Sequence, residues 1–186
     1  MIDYNLIQQS IEYYSNKGFQ RIEAPWTVSE AIDCITKPED RISFQLKHNN
    51  KCLVASGEQS FLYLYLKKFL PKGQYQAVTP CFRNESFDFL HSKYFLKNEL
   101  IKTDKVDKDE LEKIVSTCLN FFQRRIGKAE VIKTKEGFDI EYDGKELGSY
   151  GIRSCEFLDW IYATGCAEPR TSSLIKLYES HGYHTI

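Results

Sequence analysis

The apolar positions at the start of the chain recur at helical spacing. Tyr4, Ile7, Ile11 and Tyr14 lie three or four residues apart, which predicts a helix with one buried stripe, and Gly18 supplies its stop. A short strand is expected over 19–23, ending at Pro25, with further strand-like runs at 42–46 and 52–55. Residues 58–70 read as a strongly apolar helix closed by Pro71. Residues 74–82 alternate as a strand and 94–102 as another, separated by a polar loop over 83–93. The clearest helix is 107–126, where Asp107 and Glu110 have capping-box spacing and Leu111, Val115, Cys118 and Phe122 form the buried stripe.

The last third of the chain turns to strands over 130–134, 138–142, 145–153 and 158–164. Asp143-Gly144 is a hairpin signal, because that pair tolerates the positive φ angles of a type I′ turn. Pro169 is expected at the first position of a final helix, with Gly182 past its end. Hairpin-linked strands with helices packed on one side predict an α+β domain built on an antiparallel sheet.

Composition narrows the function classes. The chain has 186 residues, which suits a single domain spanning 1–186. Apolar residues make up 42%, with 12 Phe, 12 Tyr and 2 Trp, a content that excludes disorder. No apolar run approaches the ~20 residues of a membrane span, and residues 1–18 mix Asn, Gln and Glu into their apolar positions, unlike a signal peptide. A net charge of −1 argues against a dedicated electrostatic nucleic-acid binder. The six cysteines contain no C-x-x-C pair, and the four histidines do not join them at metal spacing. Reduced thiols in a cytoplasmic protein are therefore expected, ahead of disulfides or a zinc site.

Four segments carry candidate chemistry. Arg83 and Glu85 follow one strand, and His91, Phe95 and Glu99 lead into and lie on the next. In a hairpin, Arg83, Glu85, Phe95 and Glu99 approach one surface, where the guanidinium suits a phosphate and the ring suits a nucleobase. Alternation places Glu146 and Gly148 on one strand face, the glycine leaving room for a ligand and the glutamate able to hold magnesium on a polyphosphate. In 164–170, small residues precede a helix whose first turn carries Arg170, an anion-binding arrangement. The fourth segment is the helix–strand–proline element of 18–25. Taken singly, Arg83 with Glu85 reads as a surface pair, Phe95 as core and Glu146 as an exposed strand residue.

Together, in this order, the segments resemble the catalytic core of class II aminoacyl-tRNA synthetases over about residues 11–177. Residues 18–25 look like motif 1, Arg83 to Glu99 like motif 2 and Gly165 to Arg170 like motif 3. The resemblance implies ATP and Mg2+, with an amino acid as the second substrate. Arg83 would grip the α-phosphate and the amino-acid carboxylate, and Arg170 the γ-phosphate, as the two catalytic arginines. Glu85, His91, Phe95 and Ser149 would complete the ATP site, Phe95 by stacking on adenine, and Glu146 would bind the metal. Ala55 to Gln59 resembles the loop receiving the substrate amino group, so Glu58 joins Glu99 and Arg153 as amino-acid-binding residues. Residues 146–153 are also similar to asparagine synthetase A, a tRNA-independent relative. A homodimer follows from motif 1. The chain has no room for an anticodon-binding domain, so the implied activity is adenylation with transfer to a tRNA acceptor stem, a protein, a small molecule or ammonia.

The chain departs from the family pattern at several positions. Leu90 and Tyr94 stand where an arginine and an acid are usual, Ala163 and Ala167 replace glycines, and Pro169 takes the place of the motif 3 acid, with Glu168 one place early. These departures motivate a second reading, a non-catalytic paralogue that binds nucleotide or amino acid and regulates a partner. An RNA-binding module is a third, disfavoured by the charge balance.

Overall fold

The computed structural model describes residues 1–38, 41–84 and 93–183. The chain begins with α1 (Tyr4–Ser15), capped by Asp3, whose carboxylate accepts from the backbone N–H groups of Asn5 and Leu6. After β1 (Gln20–Arg21) the chain forms β2 (Thr27–Ser29), α2 (Glu30–Thr36), β3 (Gln45–Leu46), β4 (Lys51–Leu53) and α3 (Gly57–Leu66). The hairpin β5 (Gln74–Phe82) and β6 (Tyr94–Lys102) precedes α4 (Lys108–Gln123). The chain then adds β7 (Glu130–Lys133), β8 (Gly137–Tyr142), β9 (Lys145–Cys155), β10 (Leu158–Glu168) and α5 (Arg170–Ser180).

Seven strands form the main sheet in the order β1-β5-β6-β10-β9-β8-β7, and β2-β4-β3 form a smaller one. The pairs running from β5 to β7 are antiparallel, as expected, but β1 pairs with β5 in parallel, so the sheet is mixed. Parallel pairing needs a long crossover, and the small sheet with α2 and α3 supplies it. Neither β2 nor α2 is apparent from the apolar pattern, because each is short.

The two faces of the sheet bury separate cores. One holds Tyr14 of α1, Phe121 and Phe122 of α4, Leu174 of α5, and Leu147, Tyr150 and Ile161 of the sheet. The other holds Val28, Ile32, Val54, Phe61 and Leu62 against Tyr75, Trp160 and Tyr162. Helices therefore cover both faces rather than one. Strand β10 serves both cores by alternation: Ile161 and Ala163 point to the first, Trp160 and Tyr162 to the second.

Strand β10 also runs past Thr164 to Glu168, so Gly165 to Glu168 lie in a strand and not in a strand-to-helix junction. A bulge between Thr164 and Cys166 in the β6 ladder shifts the alternation and sends Cys166 into the α1–α4 core. At this point Tyr14 packs onto the backbone, its hydroxyl donating to the Gly165 carbonyl at 2.9 Å. A Cβ on Gly165 would lie 2.8 Å from the Tyr14 ring and 3.0 Å from the Asn98 carbonyl oxygen. Gly165→Ala is accordingly expected to cost about 1–3 kcal/mol by overpacking, read as a lower urea midpoint with unchanged slope.

Candidate functional site

The end of the β5–β6 hairpin places Arg83. Its backbone N–H donates to the Lys93 carbonyl at 2.9 Å, and the preceding Phe82 N–H donates to Val54 at 2.8 Å. The Arg83 Nε donates to the Ala55 carbonyl at 3.1 Å, and its guanidinium carbon lies 5.1 Å from the centre of the Phe95 ring. The predicted meeting of Arg83, Phe95 and Glu99 is partly realised. Arg83 and Phe95 touch, while Glu99 lies four residues further along β6, wholly buried. Glu99 accepts from Ser56 Oγ at 2.5 Å and lies 2.8 Å from Lys97 Nζ. Glu85 and His91 lie outside the described residues.

Glu58 enters from the first turn of α3, whose cap is Ser56. One carboxylate oxygen accepts from Arg153 at 2.6 Å, and the other from the indole N–H of Trp160 at 2.6 Å. Burial pushes the Glu58 carboxyl above the usual carboxylate range, with Arg153 pulling the other way. Arg153 in turn lies over Tyr162, its guanidinium carbon 4.3 Å from the ring centre. Glu146 of β9 accepts from Arg170 of α5 at 2.7 Å, joining two segments that are far apart in sequence. Ser149 shares the strand, its N–H 3.4 Å from Thr164 Oγ1.

Three residues have different roles from those their sequence position suggests. Gly148 is demanded by packing, since a Cβ there would lie 2.6 Å from the Tyr150 hydroxyl and 2.9 Å from Thr164. Glu168 turns inward and is fully buried, accepting from the N–H groups of Asp3 at 2.9 Å and Ser172 at 2.8 Å. It ties the chain start to α5. Pro169 is the N-cap of α5 rather than its first residue, and Arg170 opens the helix.

A cleft of about 290 Å³ brings most of these groups together. Arg83, Glu58, Glu146, Ser149 and Arg153 all line it, with Arg170 held at its edge by Glu146 and Phe95 beneath Arg83. Among its described lining residues, Lys37, Arg41, Arg83, Lys97 and Arg153 outnumber Asp33, Glu58 and Glu146. A near-neutral chain thus concentrates cations at one cleft, which favours an anionic ligand. The described residues contain no cluster of three metal-ligating side chains. Glu146, whose charge reaches Asp139 on the neighbouring strand, suits a magnesium ion held mainly by a ligand's phosphates and water.

Sequence reasoning missed the supporting wall. Asp33 of α2 is fully buried and accepts from Gln59 Nε2 at 2.8 Å and Ser43 Oγ at 2.5 Å, with Lys37 3.5 Å away. Gln59 Oε1 then accepts from the Ala55 N–H at 2.8 Å, and the Ala55 carbonyl holds Arg83. The only sequence signal was Gln59, adjacent to Glu58 in the loop already singled out. Asp33 sits in a helix too short to show a period.

Comparison with solved structures identifies the fold. The seryl-tRNA synthetase of Pyrococcus horikoshii, solved with ATP, superposes with a TM-score of 0.75 at 15% identity over 93% of this chain. The pyrrolysyl-tRNA synthetase of Desulfitobacterium hafniense gives 0.74 at 16% identity over 93%. The cytoplasmic serine-tRNA ligase of Naegleria fowleri, solved with AMP, gives 0.68 at 15% identity over 97%. The chain spans about half the length of the two seryl enzymes, 49% and 52%, and 69% of the pyrrolysyl enzyme. No family model and no curated protein sequence matches the chain. The chain therefore has the fold of a class II aminoacyl-tRNA synthetase catalytic core, as the motif order implied.

The Asp33–Gln59–Ala55 connection generates a stability test. Gln59→Leu leaves a buried carboxylate oxygen and a backbone N–H without their partners, a loss of about 1–3 kcal/mol. Urea unfolding should show it as a lower midpoint with an unchanged slope.

Proposed function

We infer that the protein is an ATP-dependent amino-acid-activating ligase. One observation carries the reading: a cationic cleft, in a fold shared with class II synthetases, collects Glu58, Arg83, Glu146 and Arg153, with Arg170 at its edge.

In the reaction, a carboxylate oxygen of the amino acid attacks the α-phosphorus of ATP. The new O–P bond forms as the bond to the bridging oxygen breaks, giving an aminoacyl-adenylate and pyrophosphate. An acceptor nucleophile then attacks the acyl carbon, and AMP leaves. Arg83 neutralises the α-phosphate and draws in the carboxylate, with Phe95 offering the adenine a ring. Arg170 holds the γ-phosphate and the leaving pyrophosphate. Ser149 lies on the nucleotide side, where Glu85 and His91 also belong by their sequence match. Glu58 and Arg153 border the amino-acid end, with Glu99 buried beside Ser56.

Glu146 would supply the one protein carboxylate to a magnesium ion. The ion, when bound, offsets phosphate charge. In the free protein, Glu146 and Arg170 neutralise each other at 2.7 Å. Arg170 would turn to the polyphosphate and Glu146 to the metal, so separating the pair would leave neither charge bare. The work is positioning and charge stabilisation, with no protein nucleophile.

The acceptor is a tRNA acceptor stem, a carrier protein or a small molecule. The expected assembly is a homodimer through the motif 1 segment 18–25, in the cytoplasm. No helix among the described residues is long and apolar enough to cross a membrane.

ATP–pyrophosphate exchange across the twenty amino acids tests this reading. At least one amino acid should support exchange, and Arg83→Ala should lower it about 100–1000-fold, the scale for losing a charge-stabilising group at a reacting centre. A second reading, a non-catalytic nucleotide or amino-acid binder that regulates a partner, is favoured by Glu168, which is committed to two backbone N–H groups. It predicts thermal stabilisation by ligand without any exchange.

A further inference from the structure

Glu58 is 3% exposed yet reaches the cleft. Such burial alone favours a neutral carboxyl, and Glu99 on β6 adds a negative charge that pushes the same way. Three groups oppose this: Arg153 from β9, Lys97 from β6 and the indole of Trp160 from β10. Trp160 is fully buried, and its Nε1–H donates to Glu58 Oε1 at 2.6 Å. An indole N–H can only donate, so the oxygen facing it must accept. Arg153 takes the other oxygen at 2.6 Å while resting on Tyr162. One of the five guanidinium N–H donors is thereby committed. The side chain, 34% exposed, presents its remainder to the cleft.

We propose that Trp160 is a positioning residue for the amino-acid end of the cleft: through Glu58 it fixes the Arg153 guanidinium and keeps negative charge where the substrate ammonium is received. The proposal rests on the amino-acid-activating reading. Trp160 touches neither substrate nor reacting atoms; it acts through the carboxylate. A protonated Glu58 would release Arg153 and lose its attraction for an ammonium. Amino-acid binding is therefore present above the Glu58 titration and lost as the pH falls through it.

The test compares wild type with Trp160→Phe, which keeps a ring and removes the N–H. Carbon-13 NMR of carboxyl-labelled glutamate follows the Glu58 titration directly, with Glu58→Gln assigning the signal. In Trp160→Phe the Glu58 titration moves to higher pH. In exchange kinetics near neutral pH, the amino-acid KM rises about tenfold, the scale of one hydrogen bond to a charged group, with kcat within about twofold. The acidic limb of the pH profile moves up with the titration. Where Trp160→Phe does not fold, replacing Trp160 by benzothienylalanine in a Trp26→Phe background swaps the N–H for sulfur at nearly constant shape. An unmoved Glu58 titration in the folded variant overturns the proposal and leaves Trp160 a packing residue. Absence of exchange in wild type instead defeats the activating reading, while the NMR comparison still decides whether Trp160 holds Glu58 ionised.

Discussion

The site depends on the register of β10. Side chains of a strand alternate between faces, and a one-residue slip exchanges them. Here alternation sends Ile161 and Ala163 into the core beneath α1 and α4, and Trp160, Tyr162 and Thr164 toward the opposite face. Those three residues meet Glu58, Arg153 and Ser149 in turn. The bulge after Thr164 then redirects the strand, so that Glu168 binds the chain start and Arg170 opens α5 beside Glu146. Packing on one face thus sets the geometry of the chemistry on the other.

The second constraint is electrostatic. Four ion pairs lie at or beneath the cleft in the free protein: Asp33 with Lys37, Glu58 with Arg153, Glu99 with Lys97 and Glu146 with Arg170. Removing one member of a buried pair leaves an uncompensated charge and is strongly destabilising. The pairs differ in exposure. Glu99 and Glu58 are almost wholly buried and hold the floor, whereas the Glu146 side chain is 44% exposed and its pair with Arg170 can open to a ligand. The buried pairs brace the cleft from beneath, and the more exposed pair lies at its rim.

The long elements were legible in the sequence. Strands 74–82 and 94–102 have the boundaries their alternation predicts, and Asp107 caps α4 as its spacing with Glu110 implied. The ordered motifs pointed to the right fold, and residues from four distant segments share one cleft. What was not legible is what short elements and inward-facing polar groups contribute. Helix α2 spans 7 residues, too few for a period, yet it supplies Asp33. Trp160 lies within the expected strand 158–164, and nothing in a linear pattern shows its N–H aimed at Glu58. Gly148 looked like room for a ligand, whereas the Tyr150 hydroxyl occupies that room. The parallel β1 pairing depends on a crossover of which β2 and α2 were too short to predict.

The central claim is that this cleft receives a nucleotide with its α-phosphate at Arg83. A crystal structure of the protein with a non-hydrolysable ATP analogue and magnesium tests it most directly. The account predicts the α-phosphate within hydrogen-bond distance of the Arg83 guanidinium, the base against Phe95, and the Glu146–Arg170 pair opened. A nucleotide bound elsewhere, or a cleft unchanged at saturating analogue, would contradict it.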